Sequence, residues 1–132
     1  MRRTVVDMHV SVAVSSFNQG TLVREAVKSV HSQTLRADVV VVGDGSTDTR
    51  SLDILAQLAD QGVRVIRQAN AGVSAARNTG IRAVQTDFIA VLDGDDRLQP
   101  GFLMAAVNEL TDDDSVAASS VVEHVRYCHG GC

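Results

Sequence analysis

Two short apolar runs that end abruptly at acidic, glycine-bearing turns constrain this chain more than any other feature. Val39-Val40-Val41-Val42 is wholly β-branched and leads into Gly43-Asp44-Gly45-Ser46-Thr47-Asp48. Phe88-Ile89-Ala90-Val91-Leu92 leads straight into Asp93-Gly94-Asp95-Asp96. Runs this short and this apolar read as strands buried on both faces, the habit of parallel sheets. Parallel strands cannot be joined by tight hairpins and need crossover connections, usually helices.

The rest of the chain supplies those connections. Val10, Val12 and Val14 alternate with Ser11, Ala13 and Ser15, a first strand whose second face is small. Thr21 is placed to cap a helix carrying Leu22, Val23, Ala26, Val27 and Val30. Leu52, Leu55, Ala56 and Ala59 follow helical spacing, and Val63, Val65 and Ile66 form a short third strand. Val73, Ala76, Gly80, Ile81 and Val84 make the inner stripe of a third helix. Gly80 inside it costs about 1 kcal/mol relative to alanine, so close packing is expected there. The 88–92 run is the expected central strand. Pro100 suits the first position of a fourth helix bearing Leu103, Ala106, Val107 and Leu110. Asp112-Asp113-Asp114 ends it in solvent, and Ser115 to Tyr127 reads as a fifth strand or a pair of strands. The alternation predicts an α/β fold: a three-layer α/β/α arrangement around a mainly parallel sheet, one domain spanning 1–132.

Composition narrows the function classes. A net charge of −4 argues against a nucleic-acid partner met by a basic face. Aromatic content of 3% leaves no stacking platform for single strands. No apolar run approaches the ~20 residues of a membrane span, and Asp7 and His9 break up any secretory leader, so a cytoplasmic location is expected. Cys128 and Cys132 imply no disulfide framework. With His124 and His129 they lack the spacing of a common zinc site.

In a parallel sheet the strand C-termini share one edge, where open α/β sheets bind ligands. Asp44, the acidic turn and the end of the first strand at Ser15-Ser16-Phe17-Asn18 therefore converge. Three carboxylates in four residues repel one another unless a cation or solvent offsets them, and oxygen-only ligands suit Mg²⁺ or Mn²⁺. The competing reading is a solvated acidic turn. Ser46, Thr47 and Asp48 have capping the next helix as a sufficient duty, whereas Asp44 has less structural reason to be there.

Taken in order and spacing, Val10 to Asn18, Gly43 to Asp48, Asn70 to Gly80 and Asp93-Gly94-Asp95-Asp96 resemble the inverting GT-A glycosyltransferases of family 2, over about residues 10 to 110. The resemblance implies an enzyme that transfers a sugar from a nucleotide-diphosphate donor, a UDP-sugar, to an unknown acceptor. Ser15 and Asp44 would line the base pocket, Arg77 would reach the nucleotide and Asp93 the ribose. Asp95 would hold Mn²⁺ or Mg²⁺ on the diphosphate, with Asp96 in support. The chain departs from the family pattern at Gly43, where an aspartate is usual, a change expected to loosen the base pocket or alter which base fits. It also has Ser15-Ser16 in place of proline and threonine. The acceptor half with its catalytic base is expected beyond the C-terminus, Glu123 being a poor substitute. The chain then reads as the donor-binding, C-terminally truncated half, completed by a partner chain or oligomer, or acting as a binding module without turnover. A HAD-type phosphatase fits less well, because the acidic motif lies on the fourth strand and Lys28 is the only lysine. A dinucleotide-binding domain would need a glycine pattern that the first turn lacks.

Overall fold

The structure is a computed structural model that describes residues 9–112. The expected fifth strand, Asp113, Asp114, Glu123 and the terminal histidines and cysteines lie outside these residues. The chain runs β1 (Val10–Ser16), α1 (Leu22–His31), β2 (Asp38–Asp44), α2 (Thr49–Asp60), β3 (Arg64–Gln68), α3 (Val73–Arg82), β4 (Phe88–Asp93) and α4 (Phe102–Asp112). The strands form one sheet in the order β3-β2-β1-β4, parallel throughout.

Register fixes which side chains share a face. Val12 lies opposite Val39 and Ala90, and Val14 opposite Val41 and Leu92. These residues join Val23, Val27, Val30, Ile54, Leu55, Leu58, Leu103 and Val107 in the hydrophobic core, so α1, α2 and α4 cover that face. On the other face Ala13 lies opposite Val40 and Val91, and Ser15 opposite Val42 and Asp93. There α3 packs on β1 and β2, giving the three-layer architecture.

Several expectations shift in detail. Within the described sheet β1 and β2 are the inner strands, whereas β4 pairs only with β1 and leaves Phe88 and Ile89 half-buried. The inner face of α2 is Ser51, Ile54, Leu55 and Leu58, one residue out of phase with the expected stripe, and Ala56 and Ala59 face solvent. Isoleucine and leucine bury more apolar area than alanine, so they set the helix's rotation. On α1, Leu22 is exposed while Val23, Ala26, Val27 and Val30 are buried. Thr21 occupies the cap position of α1 without a capping side-chain bond. Pro100 does not open α4. Phe102 N donates to Gln99 O at 3.1 Å across Pro100-Gly101, and Gly101 has φ +78°, the residue order of a type II turn.

On α3 the expected stripe is reduced to Ala76 and Gly80, with Val73 and Ile81 exposed. The cause is proximity. A Cβ at position 80 would lie 2.7 Å from the Ala13 Cβ on an inner strand. Only a helix face this small can approach so closely, and larger residues are turned outward.

Gly80→Ala should therefore destabilise the fold. The helix-propensity gain of about 1 kcal/mol is outweighed by an overpacking cost of about 1–3 kcal/mol. A lowered urea midpoint is expected for Gly80→Ala and a larger drop for Gly80→Val; a midpoint raised by Gly80→Ala would contradict the close approach.

Candidate functional site

The same register that builds the core brings the chemistry together. Ser15 lies opposite Asp93, and Gln68 opposite Asp44. By alternation all four project on the face that α3 covers, at the strand C-termini. A cleft of about 330 Å³ opens there, lined by Ser15, Phe17, Asp44, Val73, Asp93 and Asp95 among others. A wider groove of about 780 Å³ follows the opposite edge, but it includes Asp38 as its single carboxylate among the described residues.

Asp44 is buried, 4% exposed. Its Oδ1 accepts from Gln68 Nε2 and from Ala71 N, each at 2.9 Å. Its Oδ2 accepts from Gly72 N at 3.0 Å, and its carbonyl oxygen accepts from Asn70 Nδ2 at 3.2 Å. These donors hold the carboxyl below the ordinary value of 3.8: the Gln68 amide most, then the Ala71 N–H, with burial opposing and the Gly72 N–H adding to the effect. Asp44 thus has a structural duty that its sequence context hides: it ties down the segment 69–72. Gly45 makes the approach feasible, since a Cβ there would sit 2.7 Å from Asn70 N.

Asp93 is held differently. Its Oδ1 accepts from Arg77 Nη2 at 2.8 Å and from Ser15 Oγ at 3.3 Å. Arg77, reaching over from α3, meets the acidic turn and is not among the residues lining the cleft. Asp93, Asp95 and Asp96 each offer a carboxylate oxygen, all within 4.8 Å of one another. Like charges at that separation repel by about 1 kcal/mol per pair even in bulk water. A hard divalent cation suits such an oxygen-only set. Asp95 is exposed, and Asp96 is buried with its N–H donating to Asp93 O at 2.9 Å.

Asn18 clips the first two rim turns together. Its Oδ1 accepts from Thr47 N at 2.9 Å and Asp48 N at 3.0 Å. Its Nδ2 donates to Thr47 Oγ1 at 3.3 Å, and its backbone N–H donates to Ser46 Oγ at 3.1 Å. Of the three candidate caps of α2, Asp48 alone takes the role, accepting from Ser51 N at 3.1 Å. On the other side of the rim, Leu98 N donates to Ser29 Oγ and Leu103 N to Gln33 Oε1, each at 3.0 Å, anchoring the segment after the acidic turn to α1. Position 43 does not face the cleft. A Cβ there would come within 3.1 Å of Leu55 Cδ1 on the core side, so the expected loosening of the base pocket has no direct route from Gly43.

Gln68, Thr79, Asn18 and the Ala71 and Gly72 amides are the contributors that the motifs did not single out. The available signal was parity: Gln68 shares a strand face with Ile66, the face opposite that of Val65.

Residues 11–128 match the sequence profile of glycosyl transferase family 2. The chain belongs to this family. The uncharacterized glycosyltransferase EpsJ of Bacillus subtilis is 38% identical over 103 residues, 76% of this chain and 30% of its own length. TarS of S. aureus in complex with UDP-GlcNAc superposes with a TM-score of 0.69 at 26% identity, covering 80% of this chain and 32% of TarS 1-349. The mannosyltransferase PcManGT of Pyrobaculum calidifontis, solved with GDP-Man and Mn²⁺, superposes at 0.72 with 24% identity, covering 83% of this chain and 34% of its own, a likeness of fold. The chain thus spans about a third of each relative, and the fold is of GT-A type. Among the described residues no helix is long and apolar enough to cross a membrane.

Asp44→Asn tests the buried cradle. An amide cannot accept on both sides, so one N–H donor is left facing Nδ2, at a cost of about 1–3 kcal/mol. Because the folded carboxyl titrates below its unfolded value, its stabilisation is complete above the ordinary aspartate range and fades as pH falls through the folded value. Urea unfolding should show the wild type ahead of Asp44→Asn by that margin at pH 7, with the gap narrowing towards pH 3. A gap that is constant with pH would contradict the ionised cradle.

Proposed function

We propose that this chain forms the donor-binding part of a metal-dependent glycosyltransferase that takes a UDP-sugar and transfers the sugar with inversion. The observation that carries this reading is the convergence of Ser15, Asp44, Asp93 and Asp95 on one cleft at the rim of a parallel sheet. The similarity to TarS, solved with UDP-GlcNAc, favours uridine as the nucleoside.

Each residue has a task that follows from its surroundings. Asp44, ionised and fixed, accepts an N–H of the base from the remaining site on Oδ2. Ser15 lines the same end of the cleft. Asp93, with Oδ1 engaged by Arg77 and Ser15, presents Oδ2 to the ribose hydroxyls. Arg77 acts by orienting Asp93. Asp95, with Asp93 and Asp96 beside it, would hold Mn²⁺ or Mg²⁺. A cation bound there supplies positive charge against the diphosphate that leaves. An inverting transfer also needs a general base to deprotonate the acceptor hydroxyl. No cleft acid takes that role in this scheme, since Asp44 and Asp93 are engaged and Asp95 is committed to the cation.

Calorimetry with UDP and a UDP-sugar, with and without Mn²⁺, tests the reading on the chain itself. Mn²⁺-dependent UDP binding is expected, and Asp95→Ala should weaken it by about tenfold or more, the size of one charge-assisted contact. UDP affinity that ignores Mn²⁺, or survives Asp95→Ala unchanged, would sink the metal role.

A further inference from the structure

Asp44 meets the cleft as a carboxylate already largely filled. An ionised carboxylate offers about four lone-pair sites. Gln68 Nε2 and Ala71 N occupy both sites on Oδ1, and Gly72 N takes one on Oδ2. One site remains, on a residue that lines the cleft. The Gln68 amide is itself held from the far side. Thr79 Oγ1 donates to Gln68 Oε1 at 2.6 Å, so the amide turns its NH₂ group towards Asp44. Ala75 O lies 3.0 Å from the same hydroxyl, a longer and weaker claim on its single proton than Gln68 Oε1 has. A flipped amide would set Gln68 Oε1 against a carboxylate oxygen.

Resting on the nucleotide reading above, we infer that Gln68 and Thr79 are positioning residues that select the base. They limit Asp44 to a single acceptor site, so the cleft takes a base that presents one ring N–H, as uracil does. Guanine presents two adjacent donors, a ring N–H and an exocyclic amine. It would pair with both oxygens of an open carboxylate, but here one of its donors meets an oxygen that is already filled. A desolvated donor without a partner weakens binding by about tenfold. Neither residue touches the nucleotide in this scheme; both act through Asp44.

The test is the ratio of UDP to GDP affinity, measured by calorimetry in Mn²⁺ for the wild type, Gln68→Met, Thr79→Val and Thr79→Ser. The wild type should favour UDP. Gln68→Met and Thr79→Val should each lower the ratio by about tenfold, and Thr79→Ser, which keeps the hydroxyl, should preserve it. If both variants weaken UDP and GDP equally, the two residues are merely structural and the inference falls, while the nucleotide reading stands. A wild type that binds neither nucleotide removes both. Should Gln68→Met fail to fold, the contrast between Thr79→Val and Thr79→Ser decides the matter alone.

Discussion

Everything at the rim depends on how closely α3 lies on the sheet. Gly80 and Ala13 meet with almost no side chain between them, and a methyl group at position 80 would stand 2.7 Å from its neighbour. That contact sets the height of the whole helix. Three residues earlier on α3, Arg77 reaches Asp93 at 2.8 Å. One residue earlier, Thr79 reaches Gln68 at 2.6 Å. A helix raised by one methyl layer would stretch both links, because hydrogen bonds weaken steeply beyond their short range. The glycine's propensity cost in the helix is thus offset by two polar contacts at the site.

The acids around the cleft share a charge sign but not a condition. Asp44 is held below the ordinary carboxylate range by neutral donors, Asp93 is paired with a guanidinium, and Asp95 stands in solvent. This grading reconciles several carboxylates in a small volume. The buried one is surrounded by N–H dipoles, which cost less to bury than a second charge would. The one paired with arginine is partly exposed. The one left to water is also the most available to a cation.

Element order and parallel topology were legible because strands 39–42 and 88–92 are short and apolar and the segments between them carry helical spacing. The convergence of Ser15, Asp44, Asp93 and Asp95 followed from topology alone. Less legible was anything that depends on side-chain size against a particular neighbour. The rotation of α2 is set by Ile54 and Leu58 outbidding Ala56 and Ala59 for the core, and the thin stripe of α3 by a single alanine on β1. The second role of Asp44 was hidden because two of the three donors to its carboxylate are backbone amides, which every residue possesses and no motif records. Gln68 lies past the apolar residues Val63, Val65 and Ile66 that mark the third strand in the sequence, yet it closes β3 and pairs with Asp44 in register.

Asn18 has a mechanical consequence. By accepting two N–H groups at the start of α2 while its own backbone donates to Ser46, it makes the turns after β1 and β2 a single body. Four hydrogen bonds therefore tie these two turns together at one side of the rim. The turn that carries Phe17 into the cleft is thereby linked to α2, whose Ile54, Leu55 and Leu58 lie in the core, so the rim inherits its position from packing on the far face of the sheet.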